Sequence, residues 1–244
     1  MNDTVASLEH VHALVSAESI DPEAVDGTAE RLDRLCRAAA RALPASGVGV
    51  SLMDPQGFTG VVASSDAISA VIEEMQFTLG EGPCHEAHAT RRPVLVPDIE
   101  TGHIRWPLYA QAVAGHEIRA VFAFPLQVGA ARLGALDVYQ RETGPLVNPG
   151  LAQALTFAEV ATGFLIDGQA RLAGDQLDPG LEEALHGGYQ LHQAQGMVMV
   201  MLAVDAAEAL VRVRGYAYAN ERRLSEVVQD IVARRLRLEK DEQR

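Results

Sequence analysis

Cysteine, lysine and long apolar runs are what this chain lacks. Cys36 and Cys84 are its only cysteines, too few for a disulfide framework and without paired metal-ligand spacing. No stretch approaches the roughly 18 continuous apolar residues of a membrane helix. The start, MNDTVASLEHVHAL, carries acids where a secretory leader carries a basic region, so the expectation is a cytoplasmic protein with no membrane partner. No nucleophile–base signature, no GxxxxGK[ST] phosphate loop and no metal-hydrolase motif occurs. An enzyme is therefore not expected, and neither is a resident metal. Cys84 and His88 stand four apart, but two ligands at that spacing do not complete a site, and Cys84 reads as a buried loop cysteine. Lys240 is the only lysine; the reliance on arginine is a coding bias and carries no physics.

The net charge of −13 argues at first against a nucleic-acid partner. Its distribution changes that reading. Residues 1–180 hold 11 basic and 23 acidic side chains, whereas residues 181–244 hold 9 and 10. Within 212–237 there are seven arginines against Glu221, Glu226 and Asp230, a local charge of +4. Asymmetry of this kind points to a binding segment near the carboxy terminus.

Along the chain, residues 4–18 predict an amphipathic helix, interrupted by Asp21-Pro22, and a second helix follows from about Pro22 to Leu43. Two β-type runs, 48–53 and 58–63, flank Asp54-Pro55-Gln56-Gly57, which is turn chemistry and predicts a hairpin. Residues 66–77 read as a helix, with Glu73-Glu74 as its solvent-facing acidic pair. The two glycines and proline of 79–84 force a shaped loop. A short helix over 85–90, a strand over 93–97 whose bounding prolines suit an edge position or a strand terminus, and a two-turn helix opened by Trp106-Pro107 come next. Strands over 119–128 and 132–139 and a long helix over 149–172 complete this part. In that helix Leu151, Leu155, Ala158, Thr162, Leu165, Gln169 and Leu172 form a soft heptad seam. It would pair two chains or pack on its own sheet, and the pattern does not choose.

Three shorter helices end the chain. Ala184, Gly187, Leu191, Ala194, Val198 and Leu202 make one apolar stripe, Ala209, Leu210, Val213 and Ala217 a second, and Leu224, Val227, Val228, Ile231 and Val232 a third. The all-apolar run 197–204 predicts a helix buried on two sides, against its own bundle and against a partner, and Gly196 a tight helix crossing in preference to a close RNA approach. The motifs Gln193-Ala194-Gln195-Gly196-Met197, Ala209, Arg214, Tyr216-Ala217 and Arg223-Leu224-Ser225-Glu226-Val227 resemble the ANTAR family of small RNA-binding antitermination domains. Gln195 departs from a frequent lysine and Val213 from a usual leucine.

Upstream, Leu79-Gly80-Glu81-Gly82-Pro83-Cys84, Val96-Pro97-Asp98, Arg105-Trp106-Pro107, and Pro125-Leu126 followed by Leu133-Gly134-Ala135-Leu136 resemble the GAF sensor family. More narrowly they are similar to the GAF domains that precede ANTAR domains in actinobacteria. The two resemblances imply an α+β GAF-like sensor domain, an antiparallel sheet flanked by helices, followed by an all-α three-helix ANTAR-like bundle. The expected boundaries are an amino-terminal helix 1–24, sensor 25–172, linker 173–180 and RNA-binding helices 181–240.

The function these resemblances imply is a signal-responsive antitermination regulator, with hairpin RNA as partner, a small-molecule ligand in the sensor and a homodimer as assembly; no cofactor is specified. The rival is a sensor whose helical tail only dimerises or binds a protein. A DNA-reading helix-turn-helix is disfavoured, because the third helix exposes Glu226, Gln229 and Asp230. Arg214, Arg222 and Arg223, then Tyr216 and Asn220, are the expected RNA contacts, since arginine pairs with phosphate and stacks on splayed bases. That role requires the guanidinium groups to face outward together. Tyr218 and Gln195 rank below them, and Arg234, Arg235 and Arg237 read as complements of a helix dipole. A GAF-type ligand space between sheet and helices would be lined by Phe77, Cys84, Trp106, Phe122 and Phe124.

Overall fold

Strand β1 (Gly47–Asp54) alternates glycine or serine with branched aliphatics, and that alternation decides how the layers stack. Val48, Val50 and Leu52 are buried on one side of the sheet, while Gly47 and Gly49 meet helix α3 (Ala67–Leu79) on the other. Strand β5 (Ala131–Gln140) repeats the division, with Leu136 and Val138 on the first side and Ala135 and Tyr139 on the second. So does β4 (Ala120–Val128), with Phe122, Phe124 and Leu126 opposed to Val121 and Ala123. With β2 (Gly57–Ser64) and β3 (Val94–Val96) these strands make one antiparallel sheet in the order β2-β1-β5-β4-β3. The computed structural model describes residues 2–20, 27–54, 57–172 and 179–239.

The bulky side of the sheet is covered by α1 (Asn2–Ala17), α2 (Thr28–Ala42) and α6 (Gly150–Leu172). The small-residue side receives α3, α4 (Pro83–Thr90) and α5 (Pro107–Ala114), with a 3-10 turn over Ile99–Ile104 that the sequence pattern does not announce. Helix α4 starts at Pro83 rather than at residue 85, because proline suits the first helical position, where no N–H is needed. The edge position that suits its bounding prolines is observed for β3. Pro22, the Pro55-Gln56 turn and most of the expected linker lie outside the described residues.

The long-helix seam is consumed inside the chain. Ala158, Thr162 and Leu165 are buried, Thr162 Oγ1 donates to the Ala158 carbonyl at 2.8 Å, and α6 packs on α1, α2 and β4. Only Leu155 of the central seam positions is exposed; the side chains of Gln169 and Leu172 lie outside the described ones. The heptad spacing here serves the helix's own sheet.

The terminal helices are α7 (Pro179–Leu202), α8 (Ala206–Ala219) and α9 (Leu224–Val232). Asp205 caps α8, accepting from the Glu208 N–H at 2.9 Å. Leu191, Ala194, Val198 and Leu202 of α7 meet Ala209, Val213 and Ala217 of α8 and the apolar side of α9. This bundle core is not closed on itself. Met53, Phe77, Cys84 and Ala135 belong to the same cluster, and removing a large side chain such as Met53 or Phe77 from water contributes about 1.5–3 kcal/mol. Helix α7 leaves the first layer through Leu181 and Leu185, passes the β2 edge and enters the second, covering an edge strand that would otherwise be open to pairing. Within the chain its apolar run is buried on the bundle side only, and Val200 on the other side is 84% exposed. Nor does a helix crossing explain Gly196, whose Cβ position faces open space.

Candidate functional site

Helix α3 links the sheet to the bundle, and its local sequence fixes its place. Asp66 caps it, accepting from the N–H groups of Ile68 and Ser69 at 2.9 and 3.0 Å and from the hydroxyls of Ser65 and Ser69. Partial burial raises the Asp66 carboxyl, but these hydrogen bonds outweigh it and hold the group below its usual range. At the other end Gly80 adopts the left-handed conformation (φ 70°) and its N–H returns to Gln76 O at 2.9 Å.

The loop after α3 is built from its neighbours outward. Glu81 Oε1 accepts from the N–H groups of Leu108 and Tyr109 at 2.7 and 2.9 Å, capping α5. Gly82 (φ 142°) lies against the Gln76 amide, where any side chain would collide. The Cys84 N–H donates to Gln76 Oε1 at 3.0 Å. The Cys84 thiol is buried, and burial pushes its pKa up. The His85 ring, bonded to Gln76 O at 3.0 Å, is pushed down to about 4 by burial.

Inside, α3 places two acids in contact with the sheet's small-residue side. Gly49 leaves room for Glu73, which is 1% exposed rather than on the helix surface as its sequence position suggested. Ser51 Oγ donates to Glu73 Oε2 at 2.5 Å and Tyr139 OH to Oε1 at 2.6 Å. Asp137, the cross-strand partner of Gly49, is fully buried beside it. Gln76 Nε2 donates to Asp137 Oδ2 at 2.5 Å, and the other Asp137 oxygen and the Tyr109 hydroxyl are buried beside Glu73 and Tyr139 respectively. Burial raises both carboxyls, Glu73 to about 7, and the repulsion of Glu73 adds to the rise at Asp137. Two carboxyls so placed resist being ionised together. The pattern offered one clue: Asp137 and Ser51 stand on the parity opposite to the apolar strand residues.

The expected ligand-lining residues do not gather. Phe122 and Phe124 face α2 and α6 in the first layer, because even positions of β4 point there. Phe77 and Cys84 lie against the bundle, and Trp106 packs under α5 with the Arg105 guanidinium 4.2 Å from its ring.

The expected RNA contacts are likewise divided. Arg214 is half-buried over Gly80, its Nε without a hydrogen-bond partner among the described residues, and burial lowers its pKa. Arg223 precedes α9 and lies 3.6 Å from Glu74 of α3, whose Oε1 also accepts from Ser225 Oγ at 2.8 Å. Arg222 is bound within the bundle to Asp230 at 2.6 Å. Asn220 donates its side-chain amide to the Tyr216 carbonyl, finishing α8, and Tyr216 packs half-buried on the bundle core. Arg214 is thus turned toward the sensor and Arg222 is held within the bundle, while Arg223 stays exposed beside Glu74 of α3. A groove of about 330 Å³, lined by Val71, Met75, Leu79, Tyr218 and Arg223 among others, runs between α3 and α8.

An antiparallel five-stranded sheet with helices on both faces defines an α+β fold. The GAF domain model matches residues 28–165, more than half of the chain. The chain belongs to the GAF domain family. Among solved structures, the GAF domain of a phosphoenolpyruvate-protein phosphotransferase from Coxiella burnetii is 15% identical (TM-score 0.51), covering 70% of this chain and 96% of that one. The GAF domain of the Acinetobacter phosphoenolpyruvate-protein phosphotransferase is 13% identical (TM-score 0.49; 72% and 99%). Free methionine-R-sulfoxide reductase from Neisseria meningitidis is 16% identical (TM-score 0.47; 69% and 91%). Likeness at these identities concerns the fold alone. No curated protein matches the chain, and no antitermination family model matches its terminal helices. Among the described residues no helix is long and apolar enough to cross a membrane.

Proposed function

We propose that the chain is a signal-responsive, non-catalytic RNA-binding antitermination regulator of the cytoplasm. The GAF part senses a small molecule or cellular state. The ANTAR-like helices hold a hairpin in a nascent transcript, which prevents a terminator from forming. The observation that most supports the reading is the core shared by the sheet and the arginine-bearing helices. A signal on the sheet therefore reaches the arginines through packed side chains, and a ligand can shift only states it binds unequally. A ligand on this face would meet α3 and the Glu73–Asp137 pair rather than Phe122 and Phe124. A homodimer belongs to the same proposal, through surfaces other than the buried α6 seam.

Replacing Arg222 and Arg223 together by alanine is expected to weaken hairpin binding in a filter assay. It should also flatten log K against log salt by roughly 1.5, the loss of about two phosphate contacts. Unchanged affinity and slope would remove both residues from the site. A second reading, a sensor whose tail serves only dimerisation or a protein partner, gains from the inward course of Arg214 and the ion pairs that engage Arg222 and Arg223. It expects no preference for structured RNA over duplex DNA.

A further inference from the structure

Adjacent residues of α3 face two different partners. Glu73 enters the buried cluster with Asp137, Tyr139 and Ser51, while Glu74 holds Arg223 and Ser225 of the bundle. One turn on, Gln76 ties Asp137 to the loop whose Gly80 lies under Arg214. A displacement of α3 from the sheet would disturb both bundle contacts. We propose that the Glu73–Asp137 pair is a proton-operated latch: with one shared proton it keeps α3 on the sheet and the bundle docked, and loss of that proton releases α8 and α9.

The latch rests on geometry. In the one-proton state a protonated Asp137 donates to the Glu73 carboxylate, which also accepts from Ser51 and Tyr139. Removing that proton leaves two like charges in contact within a region sealed from water. Repulsion there is strong and unscreened by salt. Among the described residues, the groups that face Glu73 offer no compensating cation. Asp137 and Tyr139 come from β5, Ser51 from β1, Cys84 from α4 and Tyr109 from α5, with Cys36 of α2 acting through the sheet. The buried Tyr109 hydroxyl belongs to the same polar centre. Moving α3 outward is the relief that breaks the fewest strand hydrogen bonds. Rising pH, past the step near 7 at which Glu73 ionises and on until Asp137 also gives up its proton, is therefore the releasing direction, and His85, neutral throughout that range, does not confound it.

The test is amide hydrogen exchange on the full chain at pH 7.5 and 9.5, corrected for intrinsic rates, with hairpin binding measured in parallel. Protection across residues 206–232 should fall about tenfold or more in the wild-type protein, the equivalent of about 1.4 kcal/mol. Asp137→Asn mimics the protonated partner, since its amide can donate to Glu73 and its carbonyl accept from Gln76. It should keep those residues protected at both pH values. Glu73→Gln, isosteric and uncharged, should do the same and stands in if Asp137→Asn does not fold. Glu74→Gln should leave the bundle loosened at both pH values. Equal pH responses in wild type and Asp137→Asn would overturn the latch. The relevance to RNA rests on the function proposed above, and the two fail separately. A pH-dependent release without RNA binding sinks the antitermination reading alone; RNA binding with a pH-independent bundle sinks the latch alone.

Discussion

Glu73→Gln isolates the energetic cost of an ionised acid in this interior. The ordinary glutamate pKa is about 4.3, whereas burial holds Glu73 up to about 7. Between those values the folded chain keeps a proton that the unfolded chain has released. Stability must then fall as pH rises across that window and level off above it. A shift of that size is on the order of 3 kcal/mol, a large share of the roughly 5–15 kcal/mol typical of a domain. Glutamine keeps the shape and cannot ionise. Urea unfolding of both proteins at pH 5, 6, 7 and 8 therefore gives a stability difference in which the titrating groups outside the Glu73–Asp137 cluster cancel. The variant should gain on the wild type by about 3 kcal/mol between pH 5 and pH 8, with most of the gain between pH 5 and pH 7. A difference that stays within about 0.5 kcal/mol across the series would refute the reasoning, because it would mean that Glu73 ionises as freely folded as unfolded.

Three further outcomes derive from the packing. Gly49→Ala puts a methyl into the Glu73 side chain, and should cost about 1–3 kcal/mol by overpacking, read as a lower melting temperature. Leu165→Ala should cost about 2–5 kcal/mol with no change in molar mass by light scattering, because that seam residue is buried in its own chain; a loss of mass would restore the interchain seam. Asp66→Ala removes the cap of α3 and should cost about 1 kcal/mol at neutral pH. That cost should shrink on acidification, as the wild-type carboxyl, held low by its hydrogen bonds, becomes protonated; urea titrations at pH 3 and pH 7 measure it.

Local chemistry alone determined most of the elements. Pro83 and Pro107 at helix starts, Gly80 at a helix end, Asp66 and Asp205 as caps, and the alternation of glycine or serine with aliphatics in β1 all act over a few residues, so they are legible in a linear string. The α+β class and the order of the helices follow from them. Tertiary structure decided what the second side of the sheet would face. Asp137 and Ser51 occupy the parity that an exposed antiparallel sheet gives to water, and Glu73 the flank of a helix that solvent usually takes. Only when α3 and the bundle close over that side do these groups become a buried acidic cluster. The same holds for Arg214 and Arg223, whose charge is visible in the sequence but whose direction depends on where α8 and α9 dock. Contacts between residues 151 positions apart, as in Ser225 with Glu74, depend on packing that no local pattern encodes.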